Sequence, residues 1–139
     1  MHAELITSEG NAFSGDVVSV TIPSGDGEIT ILKNHIPLLS TVMPGTVIIR
    51  TEDDELYFAV TRGVVQVGKM GLRILSDIAD RADTLQEEAI EIAKQRAEEL
   101  KDARRADAEG FAEATAILDR ELARLTALRR LRSRRRRSA

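Results

Sequence analysis

Hydrophobic and polar residues alternate in short runs through the first half of the chain. The residues that share one face in three such runs are Val18, Val20 and Ile22; Leu56, Phe58 and Val60; and Leu72 and Ile74. A period of two, with β-branched residues in each run, is typical of strands rather than helices. Turn residues separate the runs at intervals of about ten residues, which predicts a β-sandwich or barrel of many short strands.

Two of these runs are apolar on both faces, namely Val47 to Ile49 and Val64 with Val65. Either they are central strands buried on both sides, or a partner covers the outer face of the sheet. We favour buried central strands.

The second half of the chain shows helical spacing instead. Thr84 followed by Glu87 has the form of a capping box, so we expect the first helix to begin there and to break between Asp107 and Gly110. The apolar stripe expected on helix one comprises Leu85, Ala89, Ile92, Ala93, Leu100 and Ala103, and that on helix two comprises Phe111, Ala114, Leu118, Leu122, Leu125, Leu128 and Leu131. An alanine-rich stripe buries little apolar area, so helix one should adhere only weakly to any surface on which it packs.

These patterns together predict an α+β fold. An N-terminal β-sandwich of about ten short strands is followed by a C-terminal antiparallel two-helix hairpin, because helices with a short connection pack antiparallel. Glycine and proline support the division, since all three prolines and eight of the nine glycines precede Leu72. We place the boundary between residues 1–82 and 83–139.

Charge is distributed unevenly between the two parts. Residues 1–80 hold 5 Lys/Arg and 11 Asp/Glu, whereas residues 81–139 hold 15 and 12. From Arg120 onward there are nine arginines and a single acid, Glu121. A cationic tail on an otherwise acidic protein has three interpretations: a frayed terminus, a segment that binds nucleic acid or a membrane surface, or a segment that docks on an acidic protein surface. Aromatic residues make up only 3% of the chain, which argues against nucleic acid.

Residues with catalytic or metal-binding chemistry are scarce. The chain has no cysteine, and its two histidines, His2 and His35, lack the spacing of metal ligands. No glycine-rich loop followed by Lys and Ser/Thr is present, and the acidic run from Glu52 to Glu55 reads as a solvated turn. We therefore expect no enzyme active site, no metal and no cofactor.

A family resemblance covers nearly the whole chain. Residues 27–39 read GEITILKNHIPLL and resemble the epsilon subunit of bacterial F-type ATP synthase, whose usual form here is GELGILPGHAPLL. Phe13-Ser14-Gly15, Pro44-Gly45 and the strand RGVVQV at residues 62–67 match the family in the same order. Thr30 replaces a family glycine, and Lys33-Asn34 replace Pro-Gly.

The resemblance implies a noncatalytic rotor subunit. Its sandwich would hold the gamma shaft and rest on the c-ring, with Gly27, Glu28 and His35 on the ring side. Its hairpin would fold down on the sandwich or extend toward the catalytic alpha and beta subunits, where it would restrain ATP hydrolysis. We expect an acidic segment of a beta subunit to meet the arginines Arg129, Arg130, Arg132, Arg134, Arg135, Arg136 and Arg137.

The same resemblance implies a peripheral location on the cytoplasmic face of the bacterial plasma membrane. Contact with the membrane would occur only through the complex, and no nucleic acid would be bound. The family's ATP-binding motif, I/L-D-x-x-R-A, corresponds here to residues 85–90, LQEEAI. Only the aliphatic Leu85 is kept, so the sequence gives no support for nucleotide binding. The alternative to a rotor subunit is a free-standing sandwich and coiled-coil adaptor whose tail binds anionic polymers or lipids.

Overall fold

The computed structural model describes residues 1–138, and the side chains of residues 1–137. Ten strands come first: β1 (His2–Thr7), β2 (Gly10–Asp16), β3 (Ser19–Ser24), β4 (Gly27–Leu32), β5 (Leu38–Val42), β6 (Gly45–Arg50), β7 (Glu55–Val60), β8 (Gly63–Gly68), β9 (Gly71–Ser76) and β10 (Ala79–Arg81). A 3-10 turn (Ala82–Thr84) leads to α1 (Glu87–Ala103) and α2 (Ala108–Ser138). Ala139, the last residue of the expected second part, lies outside the described residues.

The strands form a sandwich with one shared core. They follow the order β10-β7-β6-β3-β5-β8-β9-β1-β2, with β4 paired to β3. A single residue pair, Ser24 with Val42, links β3 to β5, and the sheet folds over at that link. Side chains from both halves meet in the core, including Phe58 and Ile49 from one half and Leu5 from the other. The predicted fold class is confirmed.

Two glycines explain parts of the sequence pattern around the sheet ends. Gly27 has φ +115° in the tight turn from β3 to β4, a conformation that disfavours residues with a Cβ. A Cβ at Gly63, where β8 starts, would collide with the backbone of Leu75 on β9. Position 63 therefore needs glycine, because β8 and β9 approach each other closely there.

The alternating runs were predicted correctly except at one end. Val20, Ile22, Phe58, Val60, Leu72 and Ile74 all lie in the core. Val18 precedes β3 and is 52% exposed, since it belongs to the bend that connects β2 to β3. Val64 is 40% exposed, so the prediction that β8 is buried on both faces was wrong. β6 is buried on both faces, as predicted.

The start of the first helix differs from the predicted capping box. Gln86 is the N-cap residue of α1 and makes no side-chain capping bond, and the helix begins at Glu87. The Thr84 hydroxyl instead donates to the backbone carbonyl of Arg81 within the 3-10 turn. That turn carries Ala82, which is fully buried, into the contact between β7 and α2. Tertiary packing at Ala82 thus decides the local conformation.

The break between the helices also lies earlier than predicted. α1 ends at Ala103, and residues 104–107 form the connection, so Gly110 lies within α2. At Gly110 a Cβ would press on the side chains of Arg104 and Asp107, which pack back against it. A glycine here serves a close contact rather than a helix end.

The buried face of α1 is narrower than the predicted stripe and rotated from it. Ile90 and Ala97, seven residues apart, are its buried apolar residues, while Ile92 is 52% exposed. α1 packs mainly on α2, where Ile90 meets Leu125 and Leu128. On α2 the predicted Leu122 is 40% exposed, because the buried face runs through Ala123 and Ala127 instead.

α2 continues through the arginine-rich tail. It spans 31 residues, or roughly 46 Å at 1.5 Å per residue. The interpretation of the tail as a frayed terminus is therefore wrong for the described arginines up to Arg137. None of the described helices is long and apolar enough to cross a membrane.

Candidate functional site

The second helix covers the outer face of the sandwich at β6 and β7. Ile48, Tyr57 and Ala59 on the sheet meet Ala123, Ala127 and Leu131 on α2 in one buried cluster. The small alanine side chains let the helix lie close to the strands. The outer face of β6 is thus covered by the chain's own hairpin. We call this arrangement the closed position.

Three arginines of α2 pair with carboxylates on the sandwich. Arg124 Nε lies 2.8 Å from Asp80 Oδ2, and Arg134 Nε lies 2.7 Å from Glu55 Oε2. Arg130 uses both terminal nitrogens on Glu28, at 2.8 Å and 3.4 Å. We call Arg124, Arg130 and Arg134 the arginine face. A planar guanidinium that holds a carboxylate with two nitrogens adds orientation to charge attraction.

The other arginines of the tail divide into two groups. Arg129 lies 3.6 Å from Glu91, and Arg132 pairs with Glu87, so these two hold α1 against α2. The side chains of Arg135, Arg136 and Arg137 are exposed. No carboxylate of the described residues lies within salt-bridge distance of these last three. Of the predicted docking arginines, four are therefore engaged within the closed chain.

The structure does not bring the predicted ring-side residues together. Gly27 and Glu28 stand at the start of β4, whereas His35 follows its end, and a six-residue strand is about 20 Å long. His35 Nδ1 lies 2.7 Å from the Ile36 carbonyl, and the ring lines a cleft with Lys33 and Lys69. Glu28 instead meets Arg130 of the hairpin.

The positions of the ATP motif carry hairpin contacts. Leu85 packs against the cluster of Ile90, Leu125 and Leu128, and Glu87 pairs with Arg132. Residues 85–90 thus fasten the start of α1 to the end of α2. None of these six side chains carries the positive charge that a phosphate group needs.

The pKa of the Tyr57 phenol depends on the closed position. It lies under α2 and is 6% exposed. Burial is the main cause that raises the pKa of its phenol, with the charge and hydrogen bond of Glu55 adding to it, while Arg134 and Arg130 lower it. The chain has one tyrosine and no tryptophan, so its tyrosine signal reports this site alone.

A second surface lies on the opposite half of the sandwich. Thr41 on β5 is opposite Val64 on β8, which is opposite Leu75 on β9, which in turn is opposite Ile6 on β1. We call these four residues the outer stripe. Val64 is 40% exposed and Leu75 is 44% exposed, and Leu39 on β5 nearby is 74% exposed. Three of the four residues, Val64, Leu75 and Ile6, are apolar, and an apolar row on a sheet face is typical of a protein contact.

Sequence reasoning missed the carboxylates of the closed position, namely Asp80, Glu55 and Asp54. Nothing local marks them, because the arginines of α2 that they meet, Arg124 and Arg134, lie 44 or more residues away along the chain. A signal for the covered helix face was present in Ala123, Ala127 and Leu131. They recur every four residues beside the leucine stripe.

Comparison with known sequences identifies the family. The sequence model described as "ATP synthase, Delta/Epsilon chain, beta-sandwich domain" matches residues 1–82. An ATP synthase epsilon chain of Alkalilimnicola ehrlichii is 35% identical over 135 residues, covering 96% of each chain. That of Nitrosococcus oceani is 36% identical over 133 residues, covering 95% of this chain and 94% of its own. The chain belongs to the ATP synthase delta/epsilon family.

Solved structures agree in fold with this family assignment. A chain in the cryo-EM structure of the Euglena gracilis mitochondrial ATP synthase, containing OSCP, F1 and the c-ring, superposes with a TM-score of 0.72. It is 18% identical, and the match covers 84% of this chain and 74% of that one. A chain of the Tetrahymena thermophila mitochondrial ATP synthase central stalk and c-ring gives 0.53 at 19% identity, covering 60% and 67%. The similarity to epsilon chains therefore shows the family, and the similarity to these solved structures shows the fold alone.

Proposed function

We propose that this chain is a noncatalytic central-stalk subunit of an F-type ATP synthase. It couples ion flow through the c-ring to ATP synthesis and restrains ATP hydrolysis through its hairpin. Residues 1–82 attach it to the rotor, and residues 83–139 regulate ATP hydrolysis. The complex holds it on the cytoplasmic face of the plasma membrane. Family membership and the near-complete coverage of epsilon chains support this proposal.

The outer stripe is the proposed contact with the gamma subunit. It is a largely apolar row on the sandwich face that the hairpin leaves open, and Val64 and Leu75 at its centre are exposed. An apolar contact of this kind is little affected by salt. Co-purification with gamma and the c-ring in high salt supports the rotor role, whereas release in moderate salt favours the adaptor alternative.

We propose that Gly27, Glu28 and His35 contact the c-ring, and that Glu28 can do so only when it is released from the hairpin. Glu28 is engaged by Arg130 in the closed position. A c-subunit that recruits the Glu28 carboxylate therefore competes with the hairpin for it. His35, at the far end of β4, has no such competitor on the hairpin among the described residues. Replacing His35 with alanine should weaken ring attachment without opening the hairpin.

Inhibition is proposed to use the same arginines in a different position. The single observation that carries this proposal is the pairing of the arginine face with sandwich carboxylates. The exposed pair of Arg130 with Glu28 can separate at low cost. On extension, Arg129, Arg130, Arg132 and Arg134 exchange those partners for an acidic segment of a beta subunit. Arg135, Arg136 and Arg137 meet that segment without giving up a partner.

Truncation after Leu118 tests the inhibitory role in the assembled complex. ATP hydrolysis should rise while the complex still assembles, and unchanged hydrolysis would remove the inhibitory function. Because this truncation also uncovers Ile48 and Tyr57, a milder variant is needed beside it. The double substitution Arg136→Ser and Arg137→Ser leaves every pair of the closed position intact and should also raise hydrolysis. Its charge-matched control is Lys94→Ser with Arg96→Ser on α1.

A further inference from the structure

Two buried threonines lie on the sheet face that the second helix covers. Thr46 on β6 is paired with Ala59 on β7, and Thr21 on β3 is paired with Ile48 on β6. Residues directly opposite each other on antiparallel strands point to the same face of a sheet. Ala59 and Ile48 both meet α2, so the two threonines belong to this face as well. Each of them is 3% exposed.

The hydroxyl groups of these two threonines differ in their hydrogen bonds. Thr21 Oγ1 lies 3.0 Å from Thr30 Oγ1 and accepts a hydrogen bond from Arg50 Nη1 at 3.1 Å. Thr46 Oγ1 is shut off from solvent and has no hydrogen-bond partner among the described residues. Closure of the hairpin therefore removes Thr46 Oγ1 from water without providing a new partner, and this loss opposes closure.

Two arginines of α2, one helical turn apart, show the same contrast. Arg120 precedes Ala123 by three residues and Ala127 by seven, so it lies on the helix face that meets the sheet. Its Nε is shut off from solvent and has no partner among the described residues. The Nε of Arg124 instead lies 2.8 Å from Asp80 Oδ2. The buried Nε–H of Arg120 thus opposes closure, whereas that of Arg124 favours it.

We propose that Thr46 and Arg120 oppose closure and so keep the hairpin able to leave the sandwich. This inference rests on the proposed movement of the hairpin and names two residues that regulate it. The buried contact at Ala127 and the pairs of the arginine face stabilise the closed position, and the two atoms without partners offset part of that stabilisation. Both atoms regain water when the hairpin opens. A buried donor or acceptor without a partner costs enough to change the ratio of closed to open chains about tenfold.

Thiol labelling of a cysteine introduced as Ala123→Cys measures opening in the isolated full-length chain. The chain has no native cysteine, and position 123 is buried in the contact between α2 and the sheet. The reagent dithiobis(nitrobenzoate) reaches this thiol only when the hairpin opens. Its labelling rate, divided by that of an exposed thiol introduced as Thr126→Cys, therefore gives the open fraction. Labelling should be faster than global unfolding in urea allows, because opening leaves the sandwich folded. Labelling through global unfolding alone would overturn the inference.

The two threonines provide the first matched pair of substitutions, each made in the Ala123→Cys chain. Thr46→Val keeps the shape of the side chain and removes the hydroxyl group that has no partner, so it should slow labelling about tenfold. Thr21→Val removes a hydroxyl group with two partners on the same face of the sheet. It should leave the labelling rate unchanged or raise it.

The two arginines provide the second pair and keep the positive charge. Arg120→Lys puts a methylene group in place of the buried Nε–H and should slow labelling about tenfold. Arg124→Lys makes the same change where Nε has Asp80 as its acceptor, and should speed labelling.

Unchanged or faster labelling in Thr46→Val or in Arg120→Lys would overturn the inference for that residue, because its polar atom would then have a partner in solution. The inhibitory role fails in a different experiment. Truncation after Leu118 tests inhibition in the assembled complex, whereas labelling tests opening in the isolated chain. A hairpin that opens as expected without affecting ATP hydrolysis would remove the inhibitory role and leave this inference intact.

Discussion

Arg130 Nη1 donates to Glu28 Oε2 at 2.8 Å, joining residues 102 positions apart in the chain. The resemblance placed Glu28 on the ring side and Arg130 near the catalytic subunits. In the closed position these two residues pair with each other instead of with those partners. One carboxylate cannot hold Arg130 and a second cationic partner with the same geometry, so the ring contact that we propose for Glu28 would compete with hairpin closure.

Removing this pair should open the hairpin only slightly. Glu28 is 47% exposed and Arg130 36% exposed, and an exposed ion pair contributes at most about 1 kcal/mol. Glu28→Gln should therefore lower the closed population modestly. Energy transfer between dyes on cysteines introduced as Glu52→Cys and Arg137→Cys measures closure cleanly, since the chain has no native cysteine.

The charge-swapped pair is the control for this first prediction. Glu28→Arg combined with Arg130→Glu should recover most of the closure that either single change loses. If the double variant is as open as the sum of the single variants, the two residues do not interact in solution.

The Glu55 carboxylate should matter more than Glu28. It is 20% exposed and lies between Arg50 Nε at 3.1 Å and Arg134 Nε at 2.7 Å. Hydrogen bonds to charged groups that are partly shielded from water contribute about 1.5–3 kcal/mol, so we expect Glu55→Gln to cost about 1–2 kcal/mol of closure. The same dye pair measures it.

Asp53→Asn is the matched control for Glu55, because Asp53 is exposed on the neighbouring turn and has no cationic partner within salt-bridge distance among the described residues. It should leave closure unchanged. An equal loss in both variants would mean that the general negative charge of this turn, rather than the Glu55 contact, holds the tail.

Parts of the fold were predictable because their cause is local. Alternation of apolar residues specifies the strands, since one face of each must meet the core. The hairpin contacts are not local: Asp80 meets Arg124 across 44 residues, and its role exists only once β10 and α2 are side by side. Thr84 shows the same limit, because the burial of Ala82 overrides a capping signal. Because α1 is rich in alanine, several of its faces could be buried with nearly the same gain in free energy. Its contact with α2 decides which face is buried.

Opening the hairpin should lower the pKa of the Tyr57 phenol toward its ordinary value of about 10, because burial is the main cause that raises it. Ala127 is fully buried beside Tyr57, so Ala127→Glu places a charge in this contact and should open it. Absorbance of the tyrosinate follows the titration directly. Thr126→Glu, on the exposed neighbouring position, should leave the pKa raised.

This pKa also fixes the direction of a stability change with pH. The unfolded chain loses the phenol proton near pH 10, before the folded chain does, so the contribution of Tyr57 is complete below about pH 10 and is lost as pH rises through the raised value. Tyr57→Phe should flatten this alkaline fall in unfolding free energy. An equally steep fall in the phenylalanine variant would assign the effect to other groups.

Salt should open the hairpin without unfolding the sandwich. The arginine face acts largely through partly exposed charge pairs, and the screening length shortens from about 10 Å at 0.1 M salt to about 3 Å at 1 M. The apolar contact of Ile48, Tyr57 and Ala127 is not weakened by salt in this way. Energy transfer should therefore fall partway across this range and then level off. The double variant Glu28→Gln with Glu55→Gln should start at the lower level and change little. Complete opening of the wild type would show that charge alone holds the hairpin, and no change would show that the buried alanine contact does.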